Sequence, residues 1–174
     1  SGRSLEVLVE SQAVRDGYRV VFKGRQTLLT HTSAPLDFDP TRVPDFKFTY
    51  DTSDYATHQP VLYHMLKMTT GPILELGCGT GSTPLIHQFA PGRKIITVEN
   101  NLEYLNPLKE RYEDKDHQFI HIPDWKELLK DPRFDQKWSI VFIDHSPWEA
   151  RHEALLKFRD LAEYIVMHDS DYFA

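Results

Sequence analysis

The stretch Ile73-Leu74-Glu75-Leu76-Gly77-Cys78-Gly79-Thr80-Gly81-Ser82 constrains the fold of this chain more than any other. An apolar run of strand type stops at three alternating glycines and passes at once into residues that can form a helix. Strand, glycine loop and helix in that order are how an α/β protein offers backbone N–H groups to a ligand. The first helical turn has unpaired donors and the positive end of the dipole. Glycine also admits positive φ and lets a ligand approach the backbone without meeting a Cβ. A small ligand carrying an anionic group is expected at this loop.

Downstream, the pattern alternates regularly. Helices are predicted over 82–89, 101–112, 125–129 and 148–161, and strands over 94–98, 118–122, 138–143 and 163–167. Upstream, Pro60 suits the first turn of a helix that ends at Gly71-Pro72. Strands that are almost wholly apolar and separated by helices imply a Rossmann-like parallel sheet covered on both faces. Residues 1–50 read differently. Leu5 to Val9, Tyr18 to Phe22 and Thr27 to Thr30 are strand-like and punctuated by Asp16-Gly17 and Lys23-Gly24, which predicts a small antiparallel β meander. A proline-bearing connector follows, pinned by Phe38, Phe46, Phe48 and Tyr50. The chain therefore divides into 1–50, meander and connector, and 51–174, the ligand-binding domain. The meander is expected to cover a sheet edge or to make a homodimer contact, with a part in substrate binding as the alternative.

Composition narrows the partners. A formal net charge of −6, with 20 Lys and Arg in no dense run, argues against nucleic acid as a partner bound by bulk electrostatics. The single cysteine, Cys78, cannot form an internal disulfide, which points to a reducing, cytoplasmic setting. No apolar run approaches a membrane span, and no signal peptide is recognisable. The chain opens on Ser1 rather than methionine, as a fragment or a processed product does.

In a doubly wound sheet the ligand lies outside the carboxyl ends of the strands. Those ends read Glu75 with the glycines, Glu99-Asn100, Asp124-Trp125, Asp144-His145 and His168-Asp169-Ser170-Asp171. Each carries a carboxylate, as expected for a ligand rich in donors or cationic. A nicotinamide dinucleotide would want Gly-x-Gly-x-x-Gly, whose third glycine would fall on Ser82, and Glu75 would face the pyrophosphate. A nicotinamide-dependent dehydrogenase is therefore disfavoured. S-adenosylmethionine has no pyrophosphate but carries an amine, a carboxylate, a ribose and a sulfonium. Glu75 can face its cationic end, and the amides of Gly77 to Gly81 can take its carboxylate.

The Glu-x-Gly-x-Gly-x-Gly pattern, with Glu99 at the next strand end, resembles motif I of class I S-adenosylmethionine-dependent methyltransferases, over roughly residues 50 to 171. The resemblance implies that Glu75, Gly77, Gly79, Gly81 and Ser82 belong to the cofactor site. It implies that Glu99 accepts both ribose hydroxyls, that Asn100 lies against the adenosine, and that Asp124 and Trp125 border the adenine. Phe142-Ile143-Asp144-His145 is similar to the corresponding stretch of the catechol type of O-methyltransferase. That likeness implies transfer to a hydroxyl of a small molecule, with Asp144, Asp169 and Asp171 as ligands of a Mg²⁺ that would lower the acceptor's pKa. Asp144 would alternatively meet the cofactor amine, and His145 is the candidate general base because imidazole titrates near neutrality. The remaining histidines show no spacing suited to zinc. The family's fold continues past the fifth strand with a helix and an antiparallel strand pair, whereas this chain stops at Tyr172-Phe173-Ala174. Without that wall the domain would alternatively be a non-catalytic module that binds the cofactor or a partner.

Overall fold

The computed structural model describes residues 58–168, together with the backbone of three strands nearer the N-terminus. The connector with its four aromatics, the capping residues before His58, and Asp169, Ser170 and Asp171 lie outside the described residues.

In chain order the elements are β1 (Val7–Glu10), β2 (Tyr18–Lys23), β3 (Gln26–His31), α1 (Gln59–Met68), β4 (Ile73–Leu76), α2 (Thr83–Phe89), β5 (Ile95–Glu99), α3 (Leu102–Tyr112), β6 (His117–His121), α4 (Trp125–Leu128), β7 (Trp138–Ile143), α5 (Ala150–Phe158) and β8 (Ala162–His168). Within the sheet the parallel strands run β6-β5-β4-β7-β8. From β4 the chain winds outward through β5 and β6, then crosses back to lay β7 and β8 on the other side. The strand order reverses between β4 and β7, which is where an open α/β sheet forms its ligand crevice. This is the Rossmann-like α/β architecture expected from the alternation.

Period-2 alternation divides each central strand between two layers. Leu74, Leu76, Ile96, Val98, Val141, Ile143, Ile165 and Met167 point to the layer closed by α4 and α5 through Trp125, Leu128, Ala154 and Phe158. Ile73, Ile95, Ile140, Phe142, Tyr164 and Val166 face α1 and α2 through Val61, Leu62, Met65, Leu85 and Ile86. The second layer also receives Glu75 and Thr97, which are both fully buried and paired in register across β4 and β5. A carboxylate in the middle of such a strand is therefore sunk into a helix layer.

The N-terminal strands differ in part from the expected meander. β2 and β3 form an antiparallel hairpin, and β2 meets β8 at Lys23 and Tyr164. β1 instead runs parallel to β8, with Val7 opposite Ile165 and Glu10 opposite His168. These strands complete the free edge of β8, whose unpaired N–H and C=O groups would otherwise face solvent.

Candidate active site

The carboxyl ends of β4, β5 and β7 are stitched by main-chain bonds. Gly77 N–H donates to Val98 O at 2.9 Å, and Asp144 N–H donates to Leu76 O at 2.8 Å. Gly77 has φ of +84°, and a Cβ there would lie 2.5 Å from Asp144 O and 2.7 Å from His145 Cα. Only glycine fits, because β7 passes where a side chain would begin. Among the three loop glycines, Gly77 alone has positive φ. A Cβ on Gly79 would meet nothing within 4 Å, so the loop is open on that side.

Glu99, at the end of β5, is 5% exposed. Its Oε2 accepts Cys78 N–H at 2.9 Å, and its Oε1 accepts Asn100 N–H at 2.8 Å and Asn101 N–H at 3.0 Å. A carboxylate offers about four lone-pair sites, so these bonds leave capacity for a further donor. Beyond it, Asn100, Asp124 and Trp125 line one cleft of about 470 Å³ together with Pro147, Glu149 and Glu153. That volume is in the range of small-molecule sites. Asp124 also caps α4, accepting Lys126 N–H at 2.9 Å. Trp125 is fixed by its indole N–H, which donates to Ser146 O at 2.7 Å. Another cleft, of about 440 Å³ beside Pro72, Trp138 and Ala162, lies at the opposite ends of the strands.

Two expected site residues sit elsewhere than the crevice surface. Glu75, expected to face a cationic ligand, is fully enclosed. Its Oε2 accepts the Ser82 hydroxyl at 2.6 Å, and its Oε1 accepts those of Thr83 and Thr97, both at 2.8 Å. Burial raises its pKa to about 7, against the opposing pull of the three hydroxyls. Its work is to hold the loop and the start of α2 from beneath. His145, expected as a general base, is 1% exposed and lies under Trp125, with ring centroids 4.1 Å apart. Burial lowers its pKa to about 4, against the opposing pull of the Ala150 backbone beside it. Among the described residues it is part of the interior rather than of the crevice surface.

The loop amides are also more occupied than a simple anion cradle. Those of Gly77 and Cys78 bond Val98 and Glu99, and Gly79 N–H donates to Thr83 Oγ1 at 3.2 Å. Gly81 is tied through its carbonyl, which accepts from Gln59 Nε2 at 3.0 Å. The Cys78 thiol is pushed upward by burial and by Glu75 and Glu99, so it stays protonated.

Asp144 stands at the switch point with its side chain 26% exposed. Its Oδ1 meets His168 Nδ1 at 2.9 Å and Arg151 Nη2 at 3.3 Å. Arg151 is 6% exposed and ties three chain segments, donating from Nε to His145 O and from Nη1 to His168 O, both at 2.8 Å. The expected magnesium centre is not supported. The cation beside Asp144 is already a guanidinium, and no group of three His, Cys, Asp or Glu suited to a metal occurs among the described residues. Asp169 and Asp171 lie outside them. The sequence pattern assigns no such role to Arg151, His168, Thr97 or His117. The one available signal was the run of hydroxyls at Ser82-Thr83 within reach of a strand carboxylate.

No family model and no curated protein matches the chain. Solved structures with partial likeness include a TehB-like S-adenosylmethionine-dependent methyltransferase from Corynebacterium glutamicum (14% identity, 59% of this chain, 56% of that one, TM-score 0.41). The 23S rRNA methyltransferase ErmE (15% identity, 70% and 47%, TM-score 0.45) and a probable oxidoreductase from Mycobacterium abscessus (14%, 90% and 54%, TM-score 0.38) are others. The chain spans about half the length of each. Likeness at this level selects neither a family nor a ligand.

Proposed function

We propose that this chain is an S-adenosylmethionine-dependent methyltransferase domain acting on a hydroxyl of a small molecule. The observation that carries the reading is the joining of Glu99 to the glycine turn through Cys78 N–H, beside a cleft lined by Asn100, Asp124 and Trp125. It puts a carboxylate for vicinal hydroxyls next to an aromatic wall with a polar rim, which is what a nucleoside requires. The open side of Gly79 leaves room for the amino-acid end.

When bound, S-adenosylmethionine supplies an electrophilic methyl group on a sulfonium. In this reading Glu99 holds the ribose hydroxyls, Asp124 takes the exocyclic amine and Trp125 lies along the ring. Asp144, whose side chain is 26% exposed, is the group at the switch point able to orient a hydroxyl or accept its proton. Alignment of donor and acceptor is the larger part of such catalysis. The net charge of −6 favours a small acceptor over nucleic acid.

The internal bonds of the Gly77, Cys78 and Gly79 amides favour a second reading, a domain that binds a nucleoside or a partner without turnover. Calorimetry with S-adenosylmethionine, S-adenosylhomocysteine and NAD tests the cofactor, with Glu99→Ala expected to abolish binding. A homocysteine-release assay across hydroxyl, amine and RNA acceptors then tests turnover. Unchanged affinity in Glu99→Ala would sink the pocket assignment, and NAD binding alone would replace it.

A further inference from the structure

Beneath the glycine loop, one hydrogen-bonded chain of side chains runs from the core to the surface. Glu75 Oε1 meets Thr97 Oγ1 at 2.8 Å, Thr97 Oγ1 meets His117 Nε2 at 2.8 Å, and His117 Nδ1 meets His87 Nδ1 at 3.0 Å. His87 Nε2 then lies 4.0 Å from Asp114 Oδ2, where the two side chains are 30% and 50% exposed. The inner members are enclosed, with Glu75 and Thr97 at 0% and His117 at 1% exposure. Four elements contribute: β4, β5 and β6 supply the inner members and α2 the outer ring.

We propose that His87, His117 and Thr97 form a proton relay that sets the charge of the buried Glu75 carboxyl from the surface, and so adjusts how firmly the glycine loop is held.

The chain has two complete polarities. In one, His87 Nδ1–H donates to His117 Nδ1, His117 Nε2–H donates to Thr97 Oγ1, and Thr97 O–H donates to an ionised Glu75. In the other every bond is reversed: Glu75 O–H donates to Thr97, Thr97 O–H to His117 Nε2, and His117 Nδ1–H to His87 Nδ1. Starting from the first polarity, a solvent proton bound at His87 Nε2 makes that ring an imidazolium. Three transfers follow, from His87 Nδ1 to His117 Nδ1, from His117 Nε2 to Thr97 Oγ1, and from Thr97 Oγ1 to Glu75 Oε1. They leave neutral His87 with its proton on Nε2, neutral His117 and neutral Glu75. One proton enters, each O–H or N–H bond broken inside the chain is matched by one formed, and no hydrogen bond is lost.

The surroundings favour this use. Asp114 accepts the N–H groups of Asp116 and His117, both at 2.8 Å, which lower its pKa and keep an anion beside the entrance. Burial, together with the neighbouring His87, lowers the pKa of His117 to about 4, so it passes a proton on rather than retaining it. On the inner side Asp144 and the Cys78 thiol are the titratable groups that couple to Glu75, and Asp144 opposes its ionisation. Ser82 and Thr83 also donate to Glu75. Bonds to an ionised acceptor are roughly twice as strong as neutral ones, so neutralising Glu75 loosens the loop and the start of α2. The consequence for cofactor affinity rests on the proposed function.

Infrared difference spectroscopy of the ligand-free protein after a pH jump from 8 to 6 reads the protonated carboxyl band, assigned to Glu75 by its loss in Glu75→Gln. His117→Phe is expected to slow the appearance of that band by about tenfold or more, because protonation must then await local opening. His87→Gln, at a partly exposed position, is expected to slow it in the same direction and covers the case in which His117→Phe does not fold. A band rate unchanged in His87→Gln, or no Glu75 band at pH 6, overturns the relay. Calorimetry with S-adenosylmethionine at pH 6 and 8 is expected to show affinity rising several-fold with pH in the natural sequence and staying flat in Glu75→Gln. Absence of binding at both pH values overturns the proposed cofactor and leaves the infrared result to judge the relay.

Discussion

A Cβ on Gly77 would lie 2.5 Å from the carbonyl oxygen of Asp144, so the turn after β4 and the end of β7 occupy adjoining space with no room for a side chain between them. The crevice at the switch point is built on this contact. Gly77→Ala adds a left-handed φ and a backbone clash, and is expected to cost about 2–4 kcal/mol of stability. Gly79→Ala, which meets nothing within 4 Å, is expected to stay within about 0.5 kcal/mol. Urea denaturation of the two variants checks the contrast, and equal losses would contradict it.

Glu99 holds three main-chain N–H groups from two segments. Glu99→Ala leaves them without their acceptor, and a loss of about 1–3 kcal/mol is expected. Hydrogen exchange should localise the loosening to Cys78, Asn100 and Asn101. Protection at those amides equal to that of the natural sequence would show that water replaces the carboxylate without cost.

Arg151 joins Asp144, the carbonyl of His145 and the carbonyl of His168. Its side chain is 7% exposed, so removing it strands acceptors at the ends of β7 and β8. Arg151→Met is expected to destabilise by about 3 kcal/mol, and Arg151→Lys to recover only part, because an ammonium cannot fork to several acceptors. Thermal melts of both variants test it, and full recovery by lysine would refute the geometric account.

Buried ionisable groups give stability two opposed pH slopes. His58, His117 and His145 have pKa values lowered to about 4 from 6.5, chiefly by burial. Their contribution is complete above 6.5 and is lost as pH falls toward 4. Glu75 is raised from 4.5 to about 7, so its contribution is complete below 4.5 and is lost as pH rises through 7. Stability of the natural sequence is therefore expected to fall steeply below pH 6. Glu75→Gln isolates the opposite slope: relative to the natural sequence it should gain on the order of 2–3 kcal/mol between pH 5 and 8. Chemical denaturation across that range measures it, and a constant difference would mean that Glu75 titrates normally.

The layering of the domain was legible in the chain. Apolar strands separated by helices can be satisfied only by a parallel sheet covered on both faces, and residues 138–143 form β7 as read from their pattern. The glycine turn and the carboxylate at the next strand end were equally readable, because both belong to short local patterns. The pairing of β1 was not. Its parallel partner β8 lies at the far end of the chain, and nothing local distinguishes that edge from the hairpin beside it.

Side-chain direction was also beyond local reading. Glu75 and His145 have the residue types of a cofactor contact and a base, and they sit at the strand ends where such groups belong. Only the tertiary structure turns Glu75 under the loop toward Ser82, Thr83 and Thr97, and slides His145 beneath Trp125. The sequence by itself determined the elements, their order and the glycine turn, since these follow from periodicity and backbone preference. Which carboxylate faces the crevice and which is consumed inside was decided by strand register and helix packing, because burial depends on neighbours far away along the chain.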